Sequence, residues 1–253
     1  MFECKIPLFN PAPLRKEVLE TMRDLVLREQ NARYNDYSDG ILSGCGLYER
    51  ETEIGVTCGL VKFAGKVYVL SESSGVKYSA TDSWTMLKVR FENEERDRDF
   101  SIYRGALVLD ENTTLMPKEM ELGRFKLKQG SRLRTEYVDF QDMETEYDTV
   151  NLINVPYAGL NEHTLCPVIL THFAREAYPH AKDPADIAFC TSCLSNSGIM
   201  SRESIMLYLW RRGQNQSTYG NHELHSSLAD VLSEMKGTAR QTGQGQSEGL
   251  LLL

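Results

Sequence analysis

The sequence predicts an α+β chain that consists of an N-terminal helix, a mostly antiparallel, sandwich-like β domain and then a helical domain. Apolar residues recur every three or four positions near the start of the chain and again in its last third, which is typical of amphipathic helices. Between these stretches lie short segments rich in β-branched and aromatic residues, separated by glycines and without a helical pattern. We therefore predict four parts, over residues 1–38, 39–138, 139–237 and 238–253.

The first predicted element is an amphipathic helix that ends near Ala32. Asn10 is a residue type that caps helices, and a first helical turn tolerates the prolines that follow it. The polar stretch 34–40 then predicts a turn or loop. The apolar stripe of the helix is formed by Leu14, Val18, Met22, Leu25 and Val26.

Antiparallel strands are predicted next. Ala64-Gly65 is typical of a tight hairpin turn, and the stretch 92–99, with seven charges in eight residues, is typical of a solvated hairpin tip. A further hairpin is predicted around Gly130, within residues 122–133. The other strands are predicted over residues 41–49, 55–63, 66–72, 84–91 and 100–109.

From about Glu136 onward the sequence predicts helices. Asp183 and Ser201 are suited to cap two of them, and Gly213 and Gly237 are typical stop signals after the last two. The helices follow the apolar residues within 165–177, 187–190, 205–210 and 224–235.

The charge and the apolar runs exclude several classes of protein. The chain has 253 residues, with 28 Lys and Arg against 36 Asp and Glu and a net charge of −8. We expect no nucleic-acid partner, because neutralising phosphates requires clustered positive charge. No apolar run reaches the roughly 7–15 residues of a secretory signal or the roughly 20 of a membrane span. Six scattered cysteines are typical of free thiols in a reducing compartment, so we expect a cytoplasmic protein.

Sequence motifs for catalysis are missing. The sequence contains no nucleophile elbow, P-loop or dinucleotide-binding motif, so we predict a protein without enzymatic activity or cofactor. Two motifs leave alternatives open. Cys190 and Cys193 form a C-x-x-C that a zinc-binding regulator would use, or they pack in the core from one apolar helix face. His222 and His225 either chelate a metal or, in the interpretation that we favour, lie in water at a helix start.

The charge reverses sign within residues 124–148. Three interpretations stay open: a solvated surface, which is the ordinary one; a protein interface, where charge sets the register; and a metal-dependent hydrolase that uses the acidic stretch 139–148. For the interface we single out the basic residues Arg124, Lys126, Lys128, Arg132 and Arg134 and the acidic residues Asp139, Asp142 and Glu144.

The C-terminal tail is rich in Gly, Gln, Ser and Thr and closes on a run of leucines. Each leucine would contribute about 1.5–3 kcal/mol if it were buried on a partner. The alternative is a frayed terminus without a role. These residues are Leu250, Leu251, Leu252 and Leu253.

One part of the β region resembles a known family. The run Asp39-Gly40-Ile41-Leu42-Ser43-Gly44, followed by the glycine-punctuated strands of residues 54–70, resembles the attachment domains of phage tail proteins. It is also similar to the shoulder domain of the adaptor that links the type VI secretion baseplate to its membrane complex. The resemblance covers about residues 11–72 and implies a helix followed by a small β-sandwich that docks on a baseplate. It implies no catalytic residues.

The resemblance and the lack of catalytic motifs together predict a structural subunit of a phage-tail-like particle, either a baseplate or a fibre-attachment component. We expect it to bind other baseplate or tail proteins and to form a homo-oligomer, a trimer or dimer, since homo-oligomers are usually closed and symmetric. In this hypothesis the β domain docks on the baseplate, and the helical part faces its own copies or a distal partner.

Overall fold

The structure of the protein is a computed structural model that describes residues 16–96, 101–214 and 219–237. It confirms the α+β class, since a helix is followed by antiparallel sheets and then by further helices. The chain forms two compact units, with their boundary between Tyr37 and Ser38. The first unit holds helix α1, Lys16–Tyr34, which continues two residues beyond the predicted end.

The strands of the second unit form small antiparallel sheets. Three sheets have three strands each, in the orders β1-β4-β5, β2-β3-β6 and β10-β7-β11, and β8 pairs only with β9. The strands are β1 (Gly40–Gly44), β2 (Leu47–Arg50), β3 (Glu53–Val56), β4 (Gly59–Phe63), β5 (Lys66–Leu70), β6 (Ser74–Lys77), β7 (Trp84–Phe91), β8 (Glu95–Arg96), β9 (Ser101–Ile102), β10 (Gly105–Asp110) and β11 (Glu119–Lys126).

The single strands predicted over 41–49 and 55–63 are each split in two, so those predictions were wrong. At the end of β1 the backbone takes two consecutive left-handed conformations, with φ +64° at Gly44, the last residue of the strand, and +55° at Cys45. These conformations turn the chain and send β2 into a different sheet from β1. A second change of sheet separates β3 from β4.

The prediction of a hairpin around Gly130 is wrong for its second strand. Gly130 lies in a turn with φ +84°, but the chain does not return beside β11. Residues 148–151 occupy that place: the Asp148 N–H donates to Lys126 O, and the Arg134 N–H donates in turn to Asp148 O. The stretch 148–151 thus lies between β11 and Arg134.

The helical region begins later than predicted. Between Asp139 and Cys166 the only helical element is the 3₁₀ turn Gln141–Glu144, and Val150 and Val155 of this stretch pack in the apolar core of the sheets. The remaining helices are α2 (Pro167–Ala177), α3 (Pro184–Ser195), α4 (Arg202–Arg211) and α5 (Asn221–Met235).

Two of the predicted helix caps are confirmed, whereas the third, Asn10, lies outside the described residues. The Asp183 side chain accepts from the Ala185 N–H at 2.7 Å, and the Ser201 hydroxyl accepts from the Ser204 N–H at 3.1 Å. A second apolar core lies among these helices, with Phe173 at its centre and fully buried. None of the helices in the described ranges is both long and apolar enough to cross a bilayer.

Candidate interaction surface

Two basic residues of the charge reversal, Arg124 and Lys126, lie on the outward side of β11, and Lys128 follows the end of the strand. Side chains alternate along a strand, and Phe125 and Leu127 point into the core at 1% and 3% exposure. Arg124, Lys126 and Lys128 therefore point outward, and Lys126 meets the acidic stretch there at Glu146. The structure thus brings the two predicted blocks together within one chain.

The first three basic side chains have partners inside the chain. The Arg124 guanidinium donates twice to Glu121, at 2.6 Å each. The Lys126 ammonium lies 2.8 Å from Glu146, and the pKa of Lys126 is raised, first by this hydrogen bond. The Lys128 ammonium lies 4.1 Å from the centre of the Tyr147 ring, on which Lys126 also packs at 4.4 Å.

The two remaining arginines are paired as well. Arg132 lies 2.9 Å from Glu49, a residue 83 positions away in the sequence. Both terminal nitrogens of Arg134 donate to the Asp142 carboxylate, at 3.0 and 2.9 Å, and Arg134 also donates to the Thr149 hydroxyl. The hydrogen bond from Arg134 is the main reason that the pKa of Asp142 lies below its usual value.

The acidic residues hold the 3₁₀ turn and connect it to helix α5. The Asp139 side chain accepts from the Asp142 N–H at 2.8 Å. Glu144 lies 3.1 Å from Nδ1 of His225, and the His225 ring stacks on Phe140 at 4.4 Å. His225 is fully buried, so the expectation that both histidines lie in water was wrong for this residue.

A groove of about 540 Å³ opens on the same surface. It is lined by Glu49 and by residues 132–138, so the ion pairs of Arg132 and Arg134 form part of its wall. Val138 on this wall is 82% exposed. The groove gives the surface a concave shape, while most of its charge is already neutralised within the chain.

The interface prediction for the charged residues stays a prediction. Four of the five basic side chains form ion pairs within the chain and Lys128 packs on the Tyr147 ring, which leaves little unpaired charge to attract a partner. Leu250–Leu253, the other predicted contact, lies outside the described residues. Sequence reasoning missed Glu49, Glu121 and Tyr147 because they lie outside the two charge blocks or carry no charge.

The residues of the two metal hypotheses have other roles here. Within the described ranges, no group of three or more His, Cys, Asp or Glu side chains is placed to hold a metal ion. Cys190 and Cys193 are fully buried on the inner side of α3, and burial raises their pKa values to about 11 and about 12. They contribute to the core among the helices, which is the alternative that the sequence left open.

Helix α3 carries a feature that the sequence analysis missed. Its outward side shows Ile187 and Leu194, 42% and 38% exposed, with the exposed Ala188 and Thr191 beside them. The one charged residue within α3, Asp186, is buried and accepts from the Tyr208 hydroxyl at 3.0 Å. The outward face of α3 is therefore uncharged. The signal for it in the sequence was that residues 184–195 contain a single charged residue, Asp186.

Comparisons with known proteins find only distant similarity, to solved structures. No protein-family model and no curated protein matches the chain. Among solved structures, it is similar to TssK over 96% of this chain and 70% of that one, with 9% identity and a TM-score of 0.39. It is also similar to the type VI secretion system TssK-TssF-TssG baseplate subcomplex, over 91% of this chain and 100% of that one, with 10% identity and a TM-score of 0.35. The phage-tail part of the resemblance stays a prediction.

Proposed function

We propose that this chain is a structural, non-enzymatic subunit of a phage-tail-like or secretion baseplate and that it assembles as a homo-oligomer in the cytoplasm. The observation that carries the proposal is the uncharged outward face of α3. A helix that lies on a protein surface normally presents charged residues to water, and one that is apolar on both sides is normally covered. A covering subunit would explain why the outward side of α3 carries no charge.

The outward residues of α3 form one continuous stripe. Ile187, Thr191 and Leu194 are spaced by four and three residues, which places them one above another on a helix. Covering the exposed parts of Ile187 and Leu194 would contribute about 1–2 kcal/mol for each side chain. A contribution of this size does not hold an oligomer together by itself, so further contacts between the copies must add to it.

We assign the contact with other baseplate proteins to the β domain. The resemblance of residues 39–70 to attachment and shoulder domains supports this assignment, since those domains dock on baseplates. A closed dimer or trimer is the expected stoichiometry, with the helical part of the chain between copies or toward a distal partner.

The test is the oligomeric state of the full chain and of variants in α3. We expect sedimentation velocity to show a dimer or trimer for the wild type. Ile187→Glu and Leu194→Glu are each expected to raise the dissociation constant at least tenfold, with unchanged circular dichroism. Leu160→Glu is the matched control: it adds the same charge at an apolar side chain that is 58% exposed outside α3.

A second measurement tests the baseplate assignment. Purified wild-type chain is mixed with the tail or baseplate proteins encoded beside it, and complexes are separated by size. Stable complexes with at least one of them support the proposal. A wild-type chain that stays monomeric at every concentration, and that binds none of these proteins, would overturn it.

A further inference from the structure

The groove on the charged surface runs along the edge of an extended stretch of chain. All seven consecutive residues 132–138 line it. Neighbouring residues of an extended chain point to opposite faces, so a groove that touches all of them runs beside the stretch and not over one of its faces. Glu49 lines the facing wall, and it belongs to β2, which is an edge strand of its own sheet. We call this groove, between Glu49 and residues 132–138, the edge groove.

Only one edge of this stretch is paired. The Arg134 N–H donates to Asp148 O at 2.9 Å, and Arg134 O accepts from the Val150 N–H at 2.9 Å. Backbone groups alternate in direction along an extended chain, so those of Thr135 point the other way, toward the edge groove. Within the described residues, neither the N–H nor the carbonyl of Thr135 has a hydrogen-bond partner. The edge groove thus contains a backbone donor and a backbone acceptor that another strand would satisfy.

An apolar pocket of about 130 Å³ adjoins the edge groove. Thr135 and Tyr137 line both of them. A cavity of about 150 Å³ with an apolar lining holds a benzene molecule, and the side chain of leucine is smaller than benzene. The pocket therefore has room for one leucine side chain. Most of its remaining wall is apolar and is formed by Leu47, Leu122, Val150, Leu152 and Val168.

The described part of the chain ends close to the edge groove. The Lys236 ammonium forms an ion pair with one carboxylate oxygen of Glu176. The other oxygen of Glu176 accepts from the Phe140 N–H at 2.8 Å. Phe140 is two residues beyond Val138, the last residue of the groove wall. Gly237, the last described residue, therefore lies near the Val138 end of the edge groove.

The residues that follow Gly237 are long enough to reach the pocket, and they carry the leucines to fill it. Residues 238–249 span up to roughly 40 Å when extended, and residues 250–253 are all leucine. From Glu176 to Val168 in the pocket wall, α2 rises only about 12 Å. A segment joined by a short linker meets a site at an effective concentration in the millimolar range, which favours it over a segment of another molecule.

We propose that residues 250–253 bind in the edge groove of their own chain as an added strand. Their backbone pairs with the N–H and the carbonyl of Thr135, and one leucine side chain fills the apolar pocket. The arginines of the groove wall are already paired with carboxylates of the chain, which suits an uncharged segment. Because an open strand edge tends to pair with other molecules, the added strand also protects this edge. The inference goes beyond the proposed baseplate role and does not depend on the homo-oligomer.

Hydrogen–deuterium exchange of the full chain, resolved by NMR, tests the contact at Thr135. The Thr135 amide is expected to exchange at least tenfold more slowly in the wild type than in a variant that lacks the four leucines. The Arg134 amide, which is bonded to Asp148 O, should exchange equally slowly in both proteins and shows that the fold is intact. The variant combines Leu250→Ser, Leu251→Ser, Leu252→Ser and Leu253→Ser.

A second variant of the same segment is the matched control. Gln241→Ser, Gln244→Ser and Gln246→Ser together change the linker and keep the leucines, so the Thr135 amide should exchange as slowly as in the wild type. Equal exchange of this amide in the wild type and in the leucine variant would overturn the proposal. Fast exchange in the control variant as well would overturn it too, because the leucines would then not be the cause.

Mixing shows whether the bound segment belongs to the same chain. The leucine variant is labelled with ¹⁵N and mixed at micromolar concentration with unlabelled wild type. If each segment occupies its own groove, the labelled Thr135 amide stays fast, and the slow exchange in the wild type alone persists on hundredfold dilution. Slow exchange of the labelled amide in the mixture, or its loss from the wild type on dilution, would overturn the proposal, since the segment would then come from another copy.

The result is independent of the test of the homo-oligomer. A wild type that is monomeric in sedimentation velocity, with slow exchange at Thr135, would contradict the homo-oligomer and support the contact proposed here. An oligomeric wild type with equally fast exchange at Thr135 in both proteins would support the homo-oligomer and contradict the contact.

Discussion

The Lys88 ammonium lies 2.8 Å from a carboxylate oxygen of Glu119, and neither side chain is more than 2% exposed. Arg90 approaches the other oxygen of Glu119 at 2.8 Å, and Asp110 lies 3.0 Å from Lys88. Taking these charges out of water costs free energy that only their mutual contacts offset. The cluster therefore depends on all of its members, and its loss would also release residues 111–118, which connect β10 to β11 and are hydrogen-bonded to Lys88 and Glu119.

The first prediction concerns the replacement of the buried lysine. Lys88→Met is expected to lower the free energy of unfolding by about 3–5 kcal/mol, because Glu119 and Asp110 lose the cation between them. Urea unfolding followed by circular dichroism measures the change. Lys182→Met is the control, since Lys182 is exposed and its replacement should change stability by less than about 0.5 kcal/mol.

A double variant examines the reason for that loss. Adding Glu119→Gln to Lys88→Met removes a buried carboxylate that would keep only Arg90 as its cation, so part of the lost stability, about 1 kcal/mol or more, should return. If Lys88→Met is no more destabilising than Lys182→Met, or if the double variant is less stable by the full sum of both single changes, the ion cluster does not stabilise the fold as argued.

The second prediction is a dependence of stability on pH. The hydrogen bond from Lys88 is the main cause that holds the pKa of Glu119 below its usual value; for Asp110 the Asn112 N–H contributes most and Lys88 follows. The unfolded carboxyl groups take up protons near their ordinary pKa values of about 4, while the folded ones stay ionised. Their contribution is therefore complete above about pH 4–5 and is lost as the pH falls through the lower, folded values.

The measurement compares the wild type with Glu119→Gln between about pH 6 and pH 3, the range in which unfolded carboxyl groups titrate. The free energy of unfolding of the wild type should fall more steeply below about pH 4.5, since the amide that replaces the Glu119 carboxylate in the variant does not titrate. Other carboxylates with lowered pKa, such as Asp142, contribute equally to both proteins. Parallel curves for the two proteins would show that Glu119 has no lowered pKa in the folded chain.

Local signals in the sequence predicted the helices well. Asp183 and Ser201 are short-range caps that act within three residues, and both form the bonds that their residue types favour. These features depend on neighbours in the sequence, and so the sequence reveals them.

Long-range contacts were not predictable in the same way. His225 is buried because Phe140 and Glu144, more than 80 residues earlier, pack against it, and nothing beside it in the sequence indicates this. The partner of Arg132, Glu49, is equally remote. The split of the predicted strand 41–49 did have a local cause, two left-handed residues in succession, but the second of them is a cysteine, which rarely adopts that conformation.

The third prediction concerns how much the contact between Arg134 and Asp142 stabilises the fold, apart from the other contacts of these residues. A double-mutant cycle with Arg134→Ala and Asp142→Ala is expected to give a coupling of about 1 kcal/mol, because the pair is bidentate yet Arg134 is 42% exposed. Asp142→Ala alone should cost more than Arg134→Ala, since Asp142 also accepts from the Val138 N–H and the Thr145 hydroxyl. Urea unfolding of the four proteins measures both quantities.

The cycle also bears on the charged surface. A coupling near zero in the monomer, with a clear effect of either variant on assembly, would mean that these residues act on a partner subunit and not on each other. Equal assembly of all four proteins, with the expected coupling, assigns the pair to the fold of the single chain.

The fourth prediction uses two glycines in the same backbone conformation. Gly198 follows α3 with φ +81°, and Gly213 follows α4 with φ +80°. A Cβ atom at Gly198 would lie 1.9 Å from the carbonyl oxygen of Pro167, whereas one at Gly213 would meet no atom within 4 Å. Both positions disfavour a side chain through φ, but only Gly198 also lacks the space for one.

Gly213→Ala is therefore expected to cost about 1–2 kcal/mol, the ordinary penalty of the left-handed conformation. Gly198→Ala should cost at least about 3 kcal/mol, because the start of α2 must also move away from the new methyl group. Thermal and urea unfolding of the two variants provide the comparison, with Gly213→Ala as the control for backbone strain alone. Equal losses of stability in the two variants would show that the close approach of α2 to Gly198 does not determine which residues fit this turn.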